Sequence, residues 1–150
     1  MIKRRPQRLE LIYSNEPVYF VTFCTRDRQR IPDLEKAQTA LEAYAQRGMK
    51  EFGVALGRYV IMLDHIHLFV SGDVDFVLSK WVAGPKRAIS KAVGSRGKFW
   101  QPTFFDHVLR SDESYSEKWE YVCENPVRAG LVKESDEWKY QGEVVSIDRV

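Results

Sequence analysis

The chain has 150 residues, 44% of them hydrophobic and 29% charged, a balance that suits one globular domain with a real core over 1–150. No apolar run approaches the roughly 18 residues a membrane span requires. The basic start Met1-Ile-Lys-Arg-Arg-Pro6 has no apolar segment behind it to act as a secretory signal, and Cys24 and Cys123 form neither a CxxC nor a zinc pattern. A reduced, cytoplasmic protein with no membrane partner is therefore expected, and a net charge of +2 is too small to diagnose nucleic acid by itself.

Taken in order, residues 1–12 read as a basic arm, and Val18-Tyr-Phe-Val-Thr-Phe-Cys-Thr25 reads as a strand rich in β-branched and aromatic residues. Asp33 can cap a helix running to about Lys50, with Leu34, Ala37, Leu41, Ala45 and Met49 near helical spacing. Tyr59 to Leu63 and His65 to Val70 form two further strands, separated by a turn or bulge at Asp64 and closed by Ser71-Gly72. A second helix is expected from about Asp75, with Phe76, Leu78, Trp81 and Val82 as its apolar stripe. Gly84-Pro85 should interrupt it, because proline removes a backbone donor and clashes with the preceding turn. Thr103 to Leu109 reads as a strand and Ser114 to Glu124 as a third helix that halts at Asn125-Pro126, with 139–150 as a tail. The order β-α-β-β-α-β followed by a helix predicts an α+β, ferredoxin-like antiparallel sheet with helices on one face. Its first and third strands are then central neighbours, and the added C-terminal helix carries Tyr121.

Alternate strand residues share a face, so His65 and His67 point the same way while Ile66 faces the other. Two neutral imidazoles side by side are a ready ligand pair for a divalent metal, although a purely structural pair has the same spacing. Tyr121 and Asn125, four residues apart, lie on one helical face. Their bland reading is a half-buried packing tyrosine and a cap for a short turn that starts at Pro126 and ends at Gly130. Lysines and arginines recur near the start (Arg4, Arg5, Arg8) and in mid-chain (Lys86, Arg87); charge alone favours a frayed arm and a solvated helix face over phosphate contacts. His107 sits on a strand with Asp106 on the opposite face, and Tyr115 is a second tyrosine on the third helix.

Phe99-Trp-Gln101, Phe105-Asp-His-Val-Leu-Arg110, Ser114-Tyr-Ser-Glu-Lys-Trp-Glu-Tyr121 and Asn125-Pro-Val-Arg-Ala-Gly-Leu-Val132 follow one another as in the REP-associated tyrosine transposases. That family belongs to the HUH single-tyrosine transposases, and Met62-Leu-Asp-His-Ile-His-Leu68 resembles its HUH strand. Likeness runs from about Val18 to Trp138, and the joint order of these pieces is specific where each alone is weak. The resemblance implies that His65 and His67 bind Mg²⁺ or Mn²⁺, with the Asn125 side-chain oxygen as third protein ligand. It implies that Tyr121 attacks single-stranded DNA at hairpin-forming, palindromic repeats, giving a 5′-phosphotyrosine and a free 3′-hydroxyl. It further implies that Arg4, Arg5 and Arg8 touch DNA and that the protein acts as a monomer or a homodimer. Lys86 and Arg87 are the next candidates for phosphate contacts, and His107 is a candidate for DNA or the reaction centre as well as for a structural histidine. Leu63 stands where the family often has proline, and Pro85 places the second helix's geometry in question.

Two other classes compete. A nucleic-acid-binding module that has lost catalysis could use the same sheet, but has no need of His65, His67, Tyr121 and Asn125 together. A water-activating metal hydrolase has only a thin ligand set here and no obvious general base.

Overall fold

The computed structural model describes residues 16–95, 97–110 and 114–147, so Arg4, Arg5 and Arg8 lie outside the described residues. Among them the elements run β1 (Tyr19–Cys24), α1 (Leu34–Phe52), β2 (Ala55–Ile61), β3 (His65–Ser71), α2 (Leu78–Ala92) and β4 (Phe105–Val108). They continue with α3 (Tyr115–Cys123), α4 (Asn125–Arg128) and β5 (Gln141–Glu143). Short 3₁₀ turns occupy Arg26–Arg28 and Ser135–Glu137. The strands form one antiparallel sheet in the order β4-β1-β3-β2-β5. The ferredoxin-like expectation holds, with β1 and β3 adjacent in the middle. The outermost strand, β5, is an addition that the sequence did not announce.

Strand alternation divides the apolar residues between the two faces. Val21, Phe23, Tyr59, Ile61, Ile66, Leu68 and Val70 face α1 and α2, which contribute Ala37, Leu41, Ala45, Trp81, Val82 and Ile89. Phe20, Val60 and Phe69 face the other way and are covered by Tyr115, Val122 and Trp119 of α3 and by Trp138. The sheet is thus covered on both faces rather than one, and α3 lies on the side that carries the histidines.

The helix starts follow local hydrogen bonding. The Asp33 carboxylate accepts from Lys36 N at 3.0 Å, and the Ser114 hydroxyl accepts from Glu117 N at 3.2 Å. Each satisfies a donor that the first turn leaves orphaned. The second helix begins at Leu78 instead of near Asp75, because the Asp73 carboxylate accepts from Asp75 N at 2.9 Å and holds a turn there. Pro85 does not interrupt α2. Proline forfeits only the bond to the Trp81 carbonyl, and buried Trp81, Val82 and Ile89 on either side of it hold the helix to the core. Gly84 lets α1 come close, since a Cβ there would run into the Tyr44 ring and hydroxyl. Asn125 is likewise corrected from cap to first residue of α4: Glu124 is the N-cap, and Gly130, at φ 75°, closes the turn beyond.

Candidate functional site

The register of β1 on β3 builds the imidazole pair from below. Thr22 lies opposite His67 and Cys24 opposite His65, all on the face under α3. The two rings are 4.8 Å apart, edge to face. The Thr22 hydroxyl meets His67 Nδ1 at 2.7 Å, and an Asp64 carboxylate oxygen meets His65 Nδ1 at 2.7 Å. With both Nδ1 atoms engaged by oxygens, the Nε2 atoms remain as the ligating positions. A carboxylate or hydroxyl behind the ring is the arrangement that orients a metal-binding histidine.

Phe20 stacks on His67 at 5.5 Å with the planes 17° apart. Burial, followed by electrostatic repulsion from the neighbouring His65, Arg128 and Arg28, pushes the His67 imidazole down to about 3. It is therefore neutral at physiological pH and keeps a lone pair for a cation. Burial alone would raise the Asp64 carboxyl, but hydrogen bonds from His65 and Arg28 outweigh it and hold the group below its ordinary value. Asp64 is thus an anion. Among the described residues no three side chains of His, Cys, Asp and Glu gather to hold a metal ion. A cation at the imidazole pair therefore needs a donor of another kind, which an amide oxygen such as that of Asn125 can supply.

Behind Asp64 stands Arg28, whose Nε and Nη2 reach the two carboxylate oxygens at 3.0 and 3.4 Å. Arg28 and its neighbour Asp27 have φ of 53° and 56°, the left-handed region that side chains avoid at about 1–2 kcal/mol per residue. Neither is glycine.

The other half of the site is the α3–α4 elbow. Tyr121 is 67% exposed. Arg128, the last residue of α4, donates from Nη2 to the Tyr121 carbonyl at 2.8 Å and to Asn125 Oδ1 at 2.9 Å. Its guanidinium lies 4.3 Å from the Tyr121 ring centre. One side chain therefore touches both Tyr121 and Asn125, and its charge also acts on His67. Among the described residues, no hydrogen bond links the Tyr121 hydroxyl or the Asn125 amide to either imidazole. What joins the halves is the shared sheet face and Arg128.

The second tyrosine of α3 is of a different kind. Tyr115 is 3% exposed, and its hydroxyl accepts from Arg58 N at 2.8 Å. That donor belongs to the register shift in β2 between Leu56 and Tyr59, so the phenol satisfies a backbone group freed by a bulge. Burial pushes its ionisation up, further from a nucleophile.

Of the expected DNA contacts, His107 lies opposite Phe20 and so shares the face of the imidazole pair. Lys86 and Arg87 are on α2, which covers the other face. The Lys86 ammonium donates to the Gln101 and Thr103 carbonyls at 2.9 and 3.3 Å, and burial lowers its pKa. It ties the segment before β4 to the helix, while Arg87 is exposed. Trp100 is a packing residue: its ring meets Phe23 at 5.0 Å and its indole N–H donates to the Lys86 carbonyl at 2.8 Å. Gln101 extends β1, donating from N to Cys24 O at 2.9 Å and from Nε2 to Thr25 O at 3.2 Å.

Sequence reasoning missed Thr22, Arg28 and Arg128. Thr22 was accessible from the expected pairing of the first and third strands, and Arg128 from its place three residues after Asn125. Nothing local marks Arg28.

Among proteins of known sequence, 31% identity over 88 residues relates the chain to a REP-associated tyrosine transposase of Escherichia coli (strain K12). That match covers 57% of this chain and 52% of the relative, so it spans about half of the relative's length. An uncharacterized protein of Haemophilus influenzae is 23% identical over 77% of this chain and 83% of its own. The fold is that of a REP-associated tyrosine transposase solved bound to a REP hairpin, with a TM-score of 0.72, 19% identity, and 99% of this chain and 95% of that one covered. A further structural match, a transposase-type protein of Deinococcus radiodurans R1, has a TM-score of 0.54 at 16% identity, with 81% of this chain and 95% of that one covered. The family model described as "Transposase IS200 like" matches residues 14–122, most of the chain, and the protein belongs to that family of transposases.

Proposed function

We propose that this transposase cuts and rejoins single-stranded DNA at hairpin-forming repeats, with Tyr121 as nucleophile. The observation that carries the reading is the imidazole pair, with both Nδ1 atoms anchored and both Nε2 atoms left to ligate, on the sheet face covered by the tyrosine helix. A hairpin substrate is taken from the fold neighbour, whose structure holds a REP hairpin.

His65 Nε2, His67 Nε2 and the Asn125 side-chain oxygen would hold Mg²⁺ or Mn²⁺, which supplies Lewis-acid polarisation of the scissile phosphate. Asn125 Oδ1 accepts one hydrogen bond from Arg128 and has a second lone pair to offer. The Tyr121 hydroxyl, turned toward solvent, loses its proton to water as its oxygen bonds phosphorus. The phosphorus–O3′ bond breaks, and the departing oxygen takes a proton to become a 3′-hydroxyl. The 5′-phosphate remains esterified to Tyr121, so the bond energy is retained and attack by another 3′-hydroxyl reverses the step without ATP. Arg128 holds the ring and the amide in fixed relation throughout.

The test is incubation with hairpin-bearing single strands and Mg²⁺ or Mn²⁺, followed by denaturing gels. A protease-sensitive covalent DNA adduct, absent with Tyr121→Phe, is expected. Retarded bands without cleavage would instead identify a binding module, and cleavage without an adduct a hydrolase.

A further inference from the structure

The turn after β1 pairs two unfavourable features. Asp27 and Arg28 both sit at positive φ, yet the ion pair they deliver is at the surface, with the Arg28 side chain 55% exposed. Exposed ion pairs contribute little to stability, and a left-handed arginine alone costs as much or more. The ion pair alone therefore does not offset this strain, and strain of this kind persists where surrounding contacts hold it, often at a site that requires a fixed geometry.

Several contacts around it converge on Asp64. Thr25 N donates to the Asp64 carbonyl at 2.9 Å, fixing the backbone. Arg28 forks across the carboxylate, and its Nη1 also reaches Cys24 Sγ at 3.4 Å, beside His65 on the same face. The carboxylate in turn meets His65 Nδ1. The path runs from strained turn to guanidinium, from guanidinium to carboxylate, and from carboxylate to imidazole.

We infer that Arg28 is a positioning residue for the cation site, acting through Asp64 to keep His65 in the tautomer that carries its proton on Nδ1 and its lone pair on Nε2. The inference rests on the reading of His65 and His67 as a cation-binding pair. A planar fork is suited to this role because it fixes the carboxylate plane, and with it the direction of the oxygen that faces the ring. Lysine, a single flexible charge, pairs with the carboxylate without setting that plane. His67 is outside this path, since its Nδ1 is held by Thr22.

The decisive variant is Arg28→Gly, which removes the guanidinium and at the same time relieves positive φ. It should melt no lower than the parent, so a loss of function cannot be assigned to unfolding. In metal-free protein at pH 8 with ¹⁵N-labelled histidine, long-range ¹H–¹⁵N spectra should show His65 of the parent as the Nδ1–H tautomer. In Arg28→Gly and Arg28→Lys the same ring should become a mixture, with His67 unmoved. Mn²⁺ affinity should fall by about tenfold in both variants, while metal-free hairpin affinity stays within twofold. An unchanged His65 tautomer with unchanged Mn²⁺ affinity overturns the inference. So does a loss of hairpin affinity alone, which would make Arg28 a direct phosphate contact. Failure of the parent itself to bind Mn²⁺ refutes the cation reading and, with it, the role of Arg28, an outcome distinct from a variant that binds like its parent.

Discussion

Replacing each of the two α3 tyrosines by phenylalanine separates a hydroxyl that supports the fold from one placed to react. In Tyr115→Phe the ring keeps its packing on Phe69, 4.7 Å between centroids, so only the acceptor for Arg58 N is lost. Leaving a largely buried backbone donor unpaired costs about 1–3 kcal/mol. For a domain of this size each kcal/mol lowers Tm by about 2–4 °C, so a drop of roughly 2–12 °C is expected. The Tyr121 hydroxyl has no such duty on a side chain 67% exposed, and Tyr121→Phe should stay within about 0.5 kcal/mol of the parent. Adduct formation should show the reverse order. Tyr115→Phe should label hairpin DNA at near the parental rate at 20 °C, whereas Tyr121→Phe should give no adduct and still retard the DNA. Thermal melts and denaturing gels on the same preparations measure both. An adduct from Tyr121→Phe, or none from folded Tyr115→Phe, would refute the assignment.

Gly57→Ala should destabilise by about 1–3 kcal/mol, because its Cβ would collide with the Tyr115 hydroxyl and with Ile147. Urea titration should show a smaller penalty for the same change in Tyr115→Phe, where the hydroxyl is gone. For His67, the folded value near 3 lies below the unfolded value of about 6.5, so above pH 6.5 both states are neutral and stability is unaffected. As the pH falls from 6.5 toward 3, only the unfolded chain takes up that proton, and the urea midpoint of metal-free protein should fall; His67→Gln should flatten this part of the profile. Thr22→Val removes the partner of His67 Nδ1 and should weaken Mn²⁺ binding about tenfold by titration calorimetry with the fold retained. Chelation with EDTA should stop adduct formation, and Mg²⁺ or Mn²⁺ should restore it.

The elements legible from the sequence were those with strong periodicity. The aromatic, β-branched run of β1, the alternation around His65 and His67, and the stripe from Leu34 to Ala45 each state their own structure. From these the sheet order followed, because a β-α-β-β-α-β chain has few ways to bury two helices on one sheet. β5 escaped because Gln141-Gly-Glu143 carries no apolar alternation; its pairing rests on backbone contacts to β2 at the sheet edge. Pro85 misled because a local rule was applied where tertiary burial decides: the helix is held by Trp81, Val82 and Ile89 on both sides of the defect.

The same division explains the site. A ligand pair on one strand is written in adjacent letters, and so is a tyrosine followed four residues later by asparagine. Their supports are contacts between distant segments: Thr22 with His67 across 45 residues, Arg28 with Asp64 across 36. Such pairs become visible only once strand register is known, and Arg28 only once the backbone is seen to turn left-handed. Yet these supports give the imidazoles their chemistry. A histidine pair without them has free choice of tautomer at each ring, four combinations in all, of which one offers both Nε2 lone pairs to the same cation. The Asp64 carboxylate, which only accepts, restricts that choice at His65, Thr22 holds the His67 ring in place, and the neutral state of buried His67 keeps a lone pair at neutral pH. The motif supplies the donor atoms; the register and the turn after β1 determine whether they act together.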